Sequence, residues 1–421
     1  MTNNTNFFIN IEKGLTVLVL LIYQGVLIEL LLSGGSQENE LVESVSTPMR
    51  LIFLLSYIIT ILLLCLRWKR IIYLFSRNWY IWALIILPVL SLSWSFEPGT
   101  TVKNSFTLVC SSLFGIYLTS RYSIKEQLQL IAWSFYIIIT LSFILAIALP
   151  KYGQMGDFHQ GKWRGVFTHK NGLGATMVVS VIVFLIQGNS QQKKNTVAWV
   201  FLGLSVVLLL LSSSTSALLN CLILVSAFFI LQVLRWSYHV MIPSIIALVT
   251  IGTCLNYWLI DNASIFFNAV GKDATLTGRT ELWQLVWDMI WKQPWIGYGY
   301  GGFWHDYDGE SAYVWRAITF HPSHAHSGYL NVLLDLGFLG LTIFWIGFII
   351  NAYRALSCFR SSQAIEDIWP IIFLIYLLIA NQSESALIVP NSTDWVLYLS
   401  ISFSLERQIK SREILHASTY S

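Results

Sequence analysis

Residues 128–149 read LQLIAWSFYIIITLSFILAIAL and contain no charged side chain. A helix of about 20 apolar residues crosses the roughly 30 Å hydrocarbon core of a bilayer, and its backbone groups are all bonded within the helix. This segment therefore predicts a membrane-spanning helix. Because similar segments recur along the chain, the sequence predicts an all-α polytopic membrane protein.

The composition excludes several other classes of protein. Only 11% of the 421 residues are charged and 55% are hydrophobic, whereas roughly a quarter of an average soluble domain is charged. This apolar content exceeds what a soluble core of this size buries, and it excludes a disordered chain. A net charge of +3 without a Lys/Arg block gives no reason to expect a nucleic-acid partner.

The same length requirement predicts about twelve spans and one integral membrane domain over residues 1–421. In chain order, the predicted spans are Gly14–Leu32, Leu51–Leu66, Trp79–Trp94, Val102–Leu118, Leu128–Leu149, Asn171–Ile186, Thr196–Leu211, Leu218–Leu234, Val240–Leu259, Leu339–Tyr353, Trp369–Ala380 and Trp395–Leu405.

The distribution of Lys and Arg predicts the orientation. With both termini in the cytoplasm, 15 of the 25 cations lie on the cytoplasmic side. Of the other 10, eight lie in two long outer segments, 150–170 and 260–338. We therefore expect the large extracytoplasmic loop 260–338 to carry much of the active site, and we expect a ligand with negative charge on that side.

The first candidate site is the segment Arg164–Gly174, at the outer end of the sixth span. Arg164, Lys170, His169 and Asn171 lie close to a helix N-terminus, whose unpaired N–H groups and dipole favour anions. The alternative is that the two cations bind lipid headgroups or extend to the membrane surface.

The second candidate is the stretch from Arg279 to Trp291, whose spacing predicts an amphipathic helix at the membrane interface. Arg279 would lie in its first turn, near the glycine-rich turn that includes Gly297 and Gly299, where a guanidinium can bind two phosphate oxygens. The alternative is that these glycines only turn the chain.

The third candidate is a histidine cluster, His321, His324 and His326, just before a membrane helix. Imidazole accepts a proton near neutral pH, which suits activation of a sugar hydroxyl. A Zn²⁺ or Mn²⁺ site is the alternative, and it would draw on these histidines with His305, Asp306 or Asp308.

These motifs together resemble a known family. An RG-F-HKN-LG segment (164–174), a GR-x-x-x-W segment (278–283), a G-x-G turn and the segments HAHSGYL (324–330) and LGFLGL (336–341) follow one another in this order. With Trp94-Ser95-x-Glu97-Pro98, they resemble the O-antigen ligase and O-antigen polymerase superfamily over nearly the whole chain, and among its members most of all the exopolysaccharide polymerases.

The resemblance implies a metal-independent, inverting glycosyltransferase on the outer face of the bacterial cytoplasmic membrane, without a cofactor. Its donor would be a glycan on undecaprenyl diphosphate, and its acceptor another glycan or a glycolipid. Membrane lipids and other polysaccharide assembly proteins would be further partners.

Carried over by position, the resemblance makes His326 the first and His324 the second candidate for the catalytic base, and Arg279 a diphosphate ligand. We expect His169, Asn171, His321 and Trp283 to position substrate. No metal ligand is expected.

The chain departs from the family pattern at Ser212–Ala217, where relatives commonly carry a cation in a Ser-Arg-Thr or Ser-Lys-Thr motif. We expect Arg164 or Lys170 to replace that charge. A polymerase is favoured over a ligase that transfers glycan to lipid A-core. A polysaccharide transporter or flippase is the alternative from another class, although the predicted spans hold few ionisable groups such as Glu29.

Overall fold

A computed structural model describes residues 2–26, 46–65, 78–156, 160–190, 195–233, 279–305, 309–318 and 322–419, together with positions 235, 239, 240, 243 and 307. Within these residues the only extended pairing is one antiparallel bridge between Gln154 and Trp163. The helices are α1 (Thr2–Tyr23), α2 (Ser46–Cys65), α3 (Trp79–Leu90), α4 (Pro98–Arg121), α5 (Ile124–Ala148), α6 (Pro150–Gly153), α7 (Lys170–Gly188), α8 (Thr196–Ser212), α9 (Thr215–Val233), α10 (Arg279–Lys292), α11 (Ala312–Ala317), α12 (Gly328–Arg360), α13 (Trp369–Ala380) and α14 (Thr393–Thr419).

The predicted all-α class is confirmed for the described residues, and the described parts of eleven of the twelve predicted spans fall largely on helices. The span Trp369–Ala380 has the same bounds as α13. The ninth predicted span, Val240–Leu259, lies outside the described residues apart from positions 240 and 243.

Five of the described helices are long and apolar enough to cross a membrane: Pro48–Cys65, Ile124–Ala148, Lys170–Gly188, Thr215–Val233 and Gly328–Arg360. Two shorter apolar helices, Trp79–Ser93 and Thr196–Ser212, accompany them. The chain is therefore a helical integral membrane protein, and the count of twelve spans stays a prediction.

Small residues allow the helices to approach each other closely, as in other membrane bundles. α7 packs against α5, α8, α9 and α13. A Cβ added to Gly174 of α7 would lie 2.9 Å from the side chains of both Ser214 and Ala217, at the start of α9. Gly115 of α4 lies equally close to α14, where its added Cβ would be 2.8 Å from Leu399 Cβ.

The connections predicted for the outer side meet at one end of the helices. The backbone N–H of Phe96, between α3 and α4, donates to the carbonyl of Tyr298 at 3.1 Å. The N–H of Gly328, which begins α12, donates to the carbonyl of Asn381 after α13 at 3.0 Å. Segments far apart in sequence therefore form one surface at this end.

Cations predicted for the cytoplasmic side lie at the opposite end. Arg121 forms an ion pair with Glu12 at 3.0 Å. Arg354 donates from Nη1 to Oδ1 of Asn78 at 2.6 Å. The two groups of loops that the charge distribution separates are thus also separated in space.

α12 is interrupted at Gly337, whose φ of +63° lies in the left-handed region that favours glycine. The loop after α10 bonds to the interruption: the N–H of Phe338 donates to the carbonyl of Pro294 at 2.8 Å, and the N–H of Tyr298 to that of Leu334 at 2.7 Å. These bonds satisfy backbone groups that the interruption would otherwise leave unpaired. They fasten the outer loop to the helix.

Candidate functional site

A cavity of about 210 Å³, here called the histidine cavity, lies where the outer connections meet. Its wall combines the first turn of α7, the start of α9, the histidine segment before α12 and the connection from α13 to α14. The residues that matter for its chemistry are Asn171, Ser214, His324, Tyr376, Glu384, Ser385 and Asp394. Two predicted site residues, His324 and Asn171, therefore share one cavity.

His324 and His326 form a close pair. Their ring centroids are 4.2 Å apart at an interplanar angle of 66°. The backbone N–H of His326 donates to Nδ1 of His324 at 3.2 Å, and His326 itself has a φ of +50°. A left-handed conformation is uncommon for a side chain other than glycine, and such backbone strain concentrates at functional sites.

The surroundings of the pair define its protonation. Because Nδ1 of His324 accepts that backbone hydrogen bond, neutral His324 carries its proton on Nε2. Burial, His324 and the positive charge of Arg279 lower the pKa of His326 to about 4. His326 is therefore neutral at pH 7, and it is a weaker proton acceptor than a free imidazole, whereas the Nε2–H of His324 is a hydrogen-bond donor. His324 lines the cavity, and His326 lies directly behind it.

Trp283 supports the histidine segment from α10. Its indole N–H donates to the carbonyl of Ala325 at 2.9 Å. The N–H of Ala325 in turn donates to Oδ1 of Asn331 at 2.8 Å. Trp283 therefore fixes the residue between the two histidines, and its predicted part in positioning substrate stays a prediction.

Arg279, the first residue of α10, lies beside the same wall. Its Nη1 donates to the carbonyl of Ser383 at 2.9 Å. Burial raises the pKa of the neighbouring Glu384 carboxyl, and the charge of Arg279 opposes that shift. The charged or ionisable groups near this wall of the cavity are thus a guanidinium, a carboxyl group and two imidazoles, from Arg279, Glu384, His324 and His326.

The N-terminus of α7 is capped by its own sequence. Nδ1 of His169 accepts a hydrogen bond from the N–H of Asn171 at 3.2 Å. The helix end therefore offers one N–H fewer to an anion than the sequence suggests. His169 acts here as a cap, and Asn171 contributes to the cavity wall.

The two predicted cations of this segment have different surroundings. Arg164 is 8% exposed, and it donates to the carbonyls of Tyr152, Lys151 and Thr168 at 2.8, 3.0 and 3.4 Å. Its guanidinium is thereby engaged by backbone oxygens. This arrangement gives Arg164 a role in holding the 150–168 connection together.

Lys170 is also buried, but its ammonium group reaches the small-residue turn between α8 and α9. Its Nζ lies 3.4 Å from the carbonyl oxygen of Ser213, which has a φ of +51°. The side chain of Lys170 therefore brings a positive charge to the Ser212–Ala217 segment, where the sequence itself has none.

The sequence reasoning missed the connection 381–392 and its neighbours. Glu384 and Ser385 line the cavity, as do Tyr376 and Asp394 at the adjoining ends of α13 and α14. Ser385 Oγ lies 3.5 Å from Nδ1 of His324. The available signal was the acidic residue Glu384 in a short polar connection predicted to lie outside the membrane.

The glycine-rich turn is not near Arg279, and that expectation was wrong. It follows the other end of α10, and α10 has 14 residues, which corresponds to about 20 Å. Gly297 packs so tightly on α12 that an added Cβ would lie 2.4 Å from the carbonyl oxygen of Leu334. These glycines turn the chain and allow close packing, which was the structural alternative.

The predicted amphipathic helix is confirmed as α10. Its buried side chains Leu282, Val286 and Met289 pack against the protein, in a cluster with residues of α12. Trp291 is 65% exposed on the other side of the helix. The apolar face is thus occupied by protein, and contact of the tryptophan face with the membrane interface stays a prediction.

The alternative metal site involves residues that the structure does not all describe. His321, Asp306 and Asp308 lie outside the described residues. In the part of the chain that is described, no group of three His, Cys, Asp or Glu side chains has the arrangement of metal ligands. Metal independence stays a prediction.

Comparison with known proteins bears on this site. Residues 199–345 match the family model described as O-antigen ligase. Over 82 residues the chain is 30% identical to the exopolysaccharide production protein ExoQ of Rhizobium meliloti (strain 1021), and the aligned part covers 19% of this chain and 19% of that relative. These matches confirm the resemblance to the O-antigen ligase and polymerase superfamily.

The matched region includes the serine-rich turn, Arg279 and the histidine pair. Lys170 and the 381–392 connection lie outside it. The histidine cavity therefore combines residues inside the matched region with residues outside it.

Proposed function

We propose that this protein is a membrane glycosyltransferase that polymerises a surface polysaccharide. It would transfer a glycan from an undecaprenyl diphosphate donor to a hydroxyl of an acceptor glycan. The reaction would take place on the outer face of the bacterial cytoplasmic membrane, with both termini of the multi-pass chain in the cytoplasm. Neither a metal nor a cofactor takes part in this proposal.

One observation carries the proposal: the half-buried imidazoles of His324 and His326 are paired at a cavity that His324 lines, with the charge of Arg279 near His326 and the ammonium group of Lys170 beside Ser214 of the cavity wall. Imidazole and cations are the groups needed to activate a hydroxyl and to stabilise a phosphate leaving group. The match to the O-antigen ligase family supports the same chemistry.

The proposed reaction is a single displacement. The acceptor hydroxyl oxygen attacks the anomeric carbon of the donor sugar, the bond from that carbon to the diphosphate oxygen breaks, and the configuration inverts. His326 accepts the hydroxyl proton, and undecaprenyl diphosphate leaves with the electron pair. The Nε2–H of His324 holds the acceptor or the leaving group by a hydrogen bond.

Arg279 and Lys170 would stabilise the diphosphate, which gains charge as the glycosidic bond breaks. Lys170 is our choice for the cation missing from Ser212–Ala217, because its Nζ reaches the Ser213 carbonyl. Arg164 is the weaker choice, because three backbone carbonyls engage its guanidinium. His169, Asn171 and Trp283 would position these groups.

A polymerase remains our preference over a ligase. The exopolysaccharide relative supports it, whereas the family description names ligases. Both enzymes would use the same donor and the same cavity, and they differ in the acceptor. The acceptor therefore decides between them.

The test is reconstitution of the purified protein in detergent with repeat units linked to undecaprenyl diphosphate. We expect a ladder of longer lipid-linked glycans on a gel. Glycan transferred to added lipid A-core, without a ladder, would indicate a ligase. Movement of the lipid-linked glycan across a liposome membrane without a new glycosidic bond would indicate a flippase and contradict the proposal.

A further inference from the structure

A second cavity, here called the aromatic cleft, lies on the same side of the protein beyond the histidine cavity. It measures about 640 Å³ and is bounded by Glu97 before α4, by the last turn of α10 and by the segment around α11. The lining residues that carry the argument are Glu97, Lys292, Tyr307, Glu310, Tyr313 and Arg316. The proposed transfer reaction uses none of them.

The rings of the cleft are exposed and held in place. Tyr313 is 44% exposed, its hydroxyl donates to Asp288 Oδ2 at 3.0 Å, and Nζ of Lys292 lies 4.9 Å from its ring centroid. Tyr307 is 48% exposed and packs edge-on against Trp315, with ring centroids 5.5 Å apart. Rings fixed before binding lose little conformational entropy when a ligand arrives.

The charges of the cleft are balanced. Two carboxylates, Glu97 and Glu310, face two cations, Lys292 and Arg316. The repulsion of a diphosphate by the carboxylates would offset its attraction to the cations, whereas a polyhydroxylated neutral ligand can donate to carboxylates and accept from cations at once. The apolar faces of sugar rings also stack on aromatic side chains. This combination suits an oligosaccharide.

α10 sets the distance between the two cavities. Arg279, its first residue, donates to the Ser383 carbonyl next to the wall of the histidine cavity, and Lys292, its last residue, lines the cleft. The helix has 14 residues, which corresponds to about 20 Å. A glycan whose reacting sugar lies in the histidine cavity would reach the cleft with sugars several units farther along the chain.

We propose that the aromatic cleft is a second saccharide site, which binds sugars of the glycan chain remote from the reacting one. The proposal rests on the proposed glycosyltransferase function. The bound chain is either the donor glycan or the acceptor glycan, and both have the same chemistry. Binding there holds a long chain on the protein and favours transfer to or from long chains over short ones.

The first test measures binding alone. The probes are oligosaccharides from partial acid hydrolysis of the surface polysaccharide of the producing strain, and undecaprenyl diphosphate without sugar. We expect Tyr313→Ala to weaken oligosaccharide binding to the purified protein about tenfold and to leave undecaprenyl diphosphate binding unchanged. Tyr353→Ala is the matched control, because Tyr353 is 74% exposed near the predicted cytoplasmic end of α12.

Glu97→Gln is the second variant, for the case that Tyr313→Ala fails to fold. The Glu97 side chain is 49% exposed and makes no capping hydrogen bond to α4, so the fold should accept the amide. We expect a weaker loss of oligosaccharide binding, about threefold. Wild-type oligosaccharide affinity in both folded variants would overturn the proposal.

The second test identifies which chain occupies the cleft. One reaction pairs a long lipid-linked donor with a single repeat unit as acceptor, and the other pairs a single-unit donor with a long acceptor. Tyr313→Ala should slow the reaction whose long chain occupies the cleft. If the variant runs both reactions at the wild-type rate, the proposal is overturned. Absence of any glycosidic bond formation by the wild-type protein would instead contradict the proposed function, and the binding result would stand separately.

Discussion

The histidine cavity and the aromatic cleft lie at opposite ends of one helix, and they differ in size, charge and burial. The smaller has a volume of about 210 Å³, with one imidazole, two carboxyl groups and three serines in its wall. The larger has a volume of about 640 Å³, with exposed tyrosines and balanced charges. The pKa of His326, which lies beside the histidine cavity, is lowered to about 4.

This difference separates chemistry from recognition. Bond breaking needs a proton acceptor and positive charge in a place where water is excluded, because electrostatic interactions are stronger there. Holding a neutral sugar chain needs surface area and hydrogen-bonding groups, which an open cleft offers. Variants at the two ends of α10 should therefore fail in different ways, and the predictions below test that separation.

The largest effect is expected at the histidine pair. His326→Ala removes the proposed base, and we expect the transfer rate to fall by about 10²- to 10⁴-fold, the usual contribution of general base catalysis. His324→Ala should also lower the rate, because His324 lines the cavity and its ring packs against that of His326. Transfer of radiolabelled repeat units measures both.

His239→Ala is the matched control for this experiment. His239 is an exposed histidine just before the ninth predicted span, on the predicted cytoplasmic side. We expect it to retain the wild-type rate. If His326→Ala kept the wild-type rate, the chemistry could not be assigned to the histidine cavity. The proposed separation of chemistry from recognition would then be contradicted.

The second prediction compares two cations of one segment. Lys170→Ala should weaken binding of undecaprenyl diphosphate about 10- to 100-fold, because hydrogen bonds to charged groups contribute about 1.5–3 kcal/mol. Arg164→Ala should instead destabilise the fold by about 1–3 kcal/mol, because buried carbonyls lose their donor. Donor binding and the melting temperature of the solubilised protein measure the two effects.

The reverse pattern, with donor affinity lost in Arg164→Ala and retained in Lys170→Ala, would assign the diphosphate to Arg164. Equal donor affinity in both variants and the wild type would contradict the replacement of the missing cation by either residue.

The third prediction concerns pH. A base acts in its unprotonated form, and the pKa of His326 is lowered to about 4. Protonation of His326 should therefore leave kcat/KM unchanged above about pH 5 and lower it below about pH 4. Arg279→Ala removes a charge that opposes protonation, so the acid limb should move to higher pH by roughly half a unit to one unit.

Arg279→Lys keeps the positive charge and should leave the limb near its wild-type position. An acid limb that does not move in Arg279→Ala would show that a group other than His326 controls the profile.

The smallest effect is expected at Glu384, a residue of the cavity wall. Glu384→Gln removes an ionisable carboxyl group near Arg279 and the proposed diphosphate. We expect the KM for the donor to fall about threefold, since partly exposed charge pairs contribute up to about 1 kcal/mol. Steady-state kinetics measure the change. A raised KM would mean that the carboxylate itself binds substrate, for example through a sugar hydroxyl.

The sequence predicted the helices well because hydropathy over about 20 residues reflects the bilayer itself. It did less well where packing decides the structure. α12 runs over Gly328–Arg360, whereas the predicted span began at Leu339, two residues beyond the interruption at Gly337. The residues before the interruption are helical because they pack on α10 and the outer loop, which hydropathy does not register.

For the site, sequence proximity was sufficient to pair His324 with His326. It was not sufficient to bring Asn171, Ser214 and Glu384 together, because these residues come from three connections that meet only after the helices pack. Arg164 and Lys170 are also equivalent by sequence alone, because the hydrogen bonds that distinguish them are made to the folded backbone.

The most direct test of the account is to locate the diphosphate. Undecaprenyl diphosphate with a photoreactive diazirine next to the phosphates can be crosslinked to the purified protein, and the labelled peptides identified by mass spectrometry. We predict labels within residues 167–175, 212–217, 324–328 and 381–386, which border the histidine cavity. Labels confined to residues 289–316, at the aromatic cleft, or to the predicted cytoplasmic end would contradict the account.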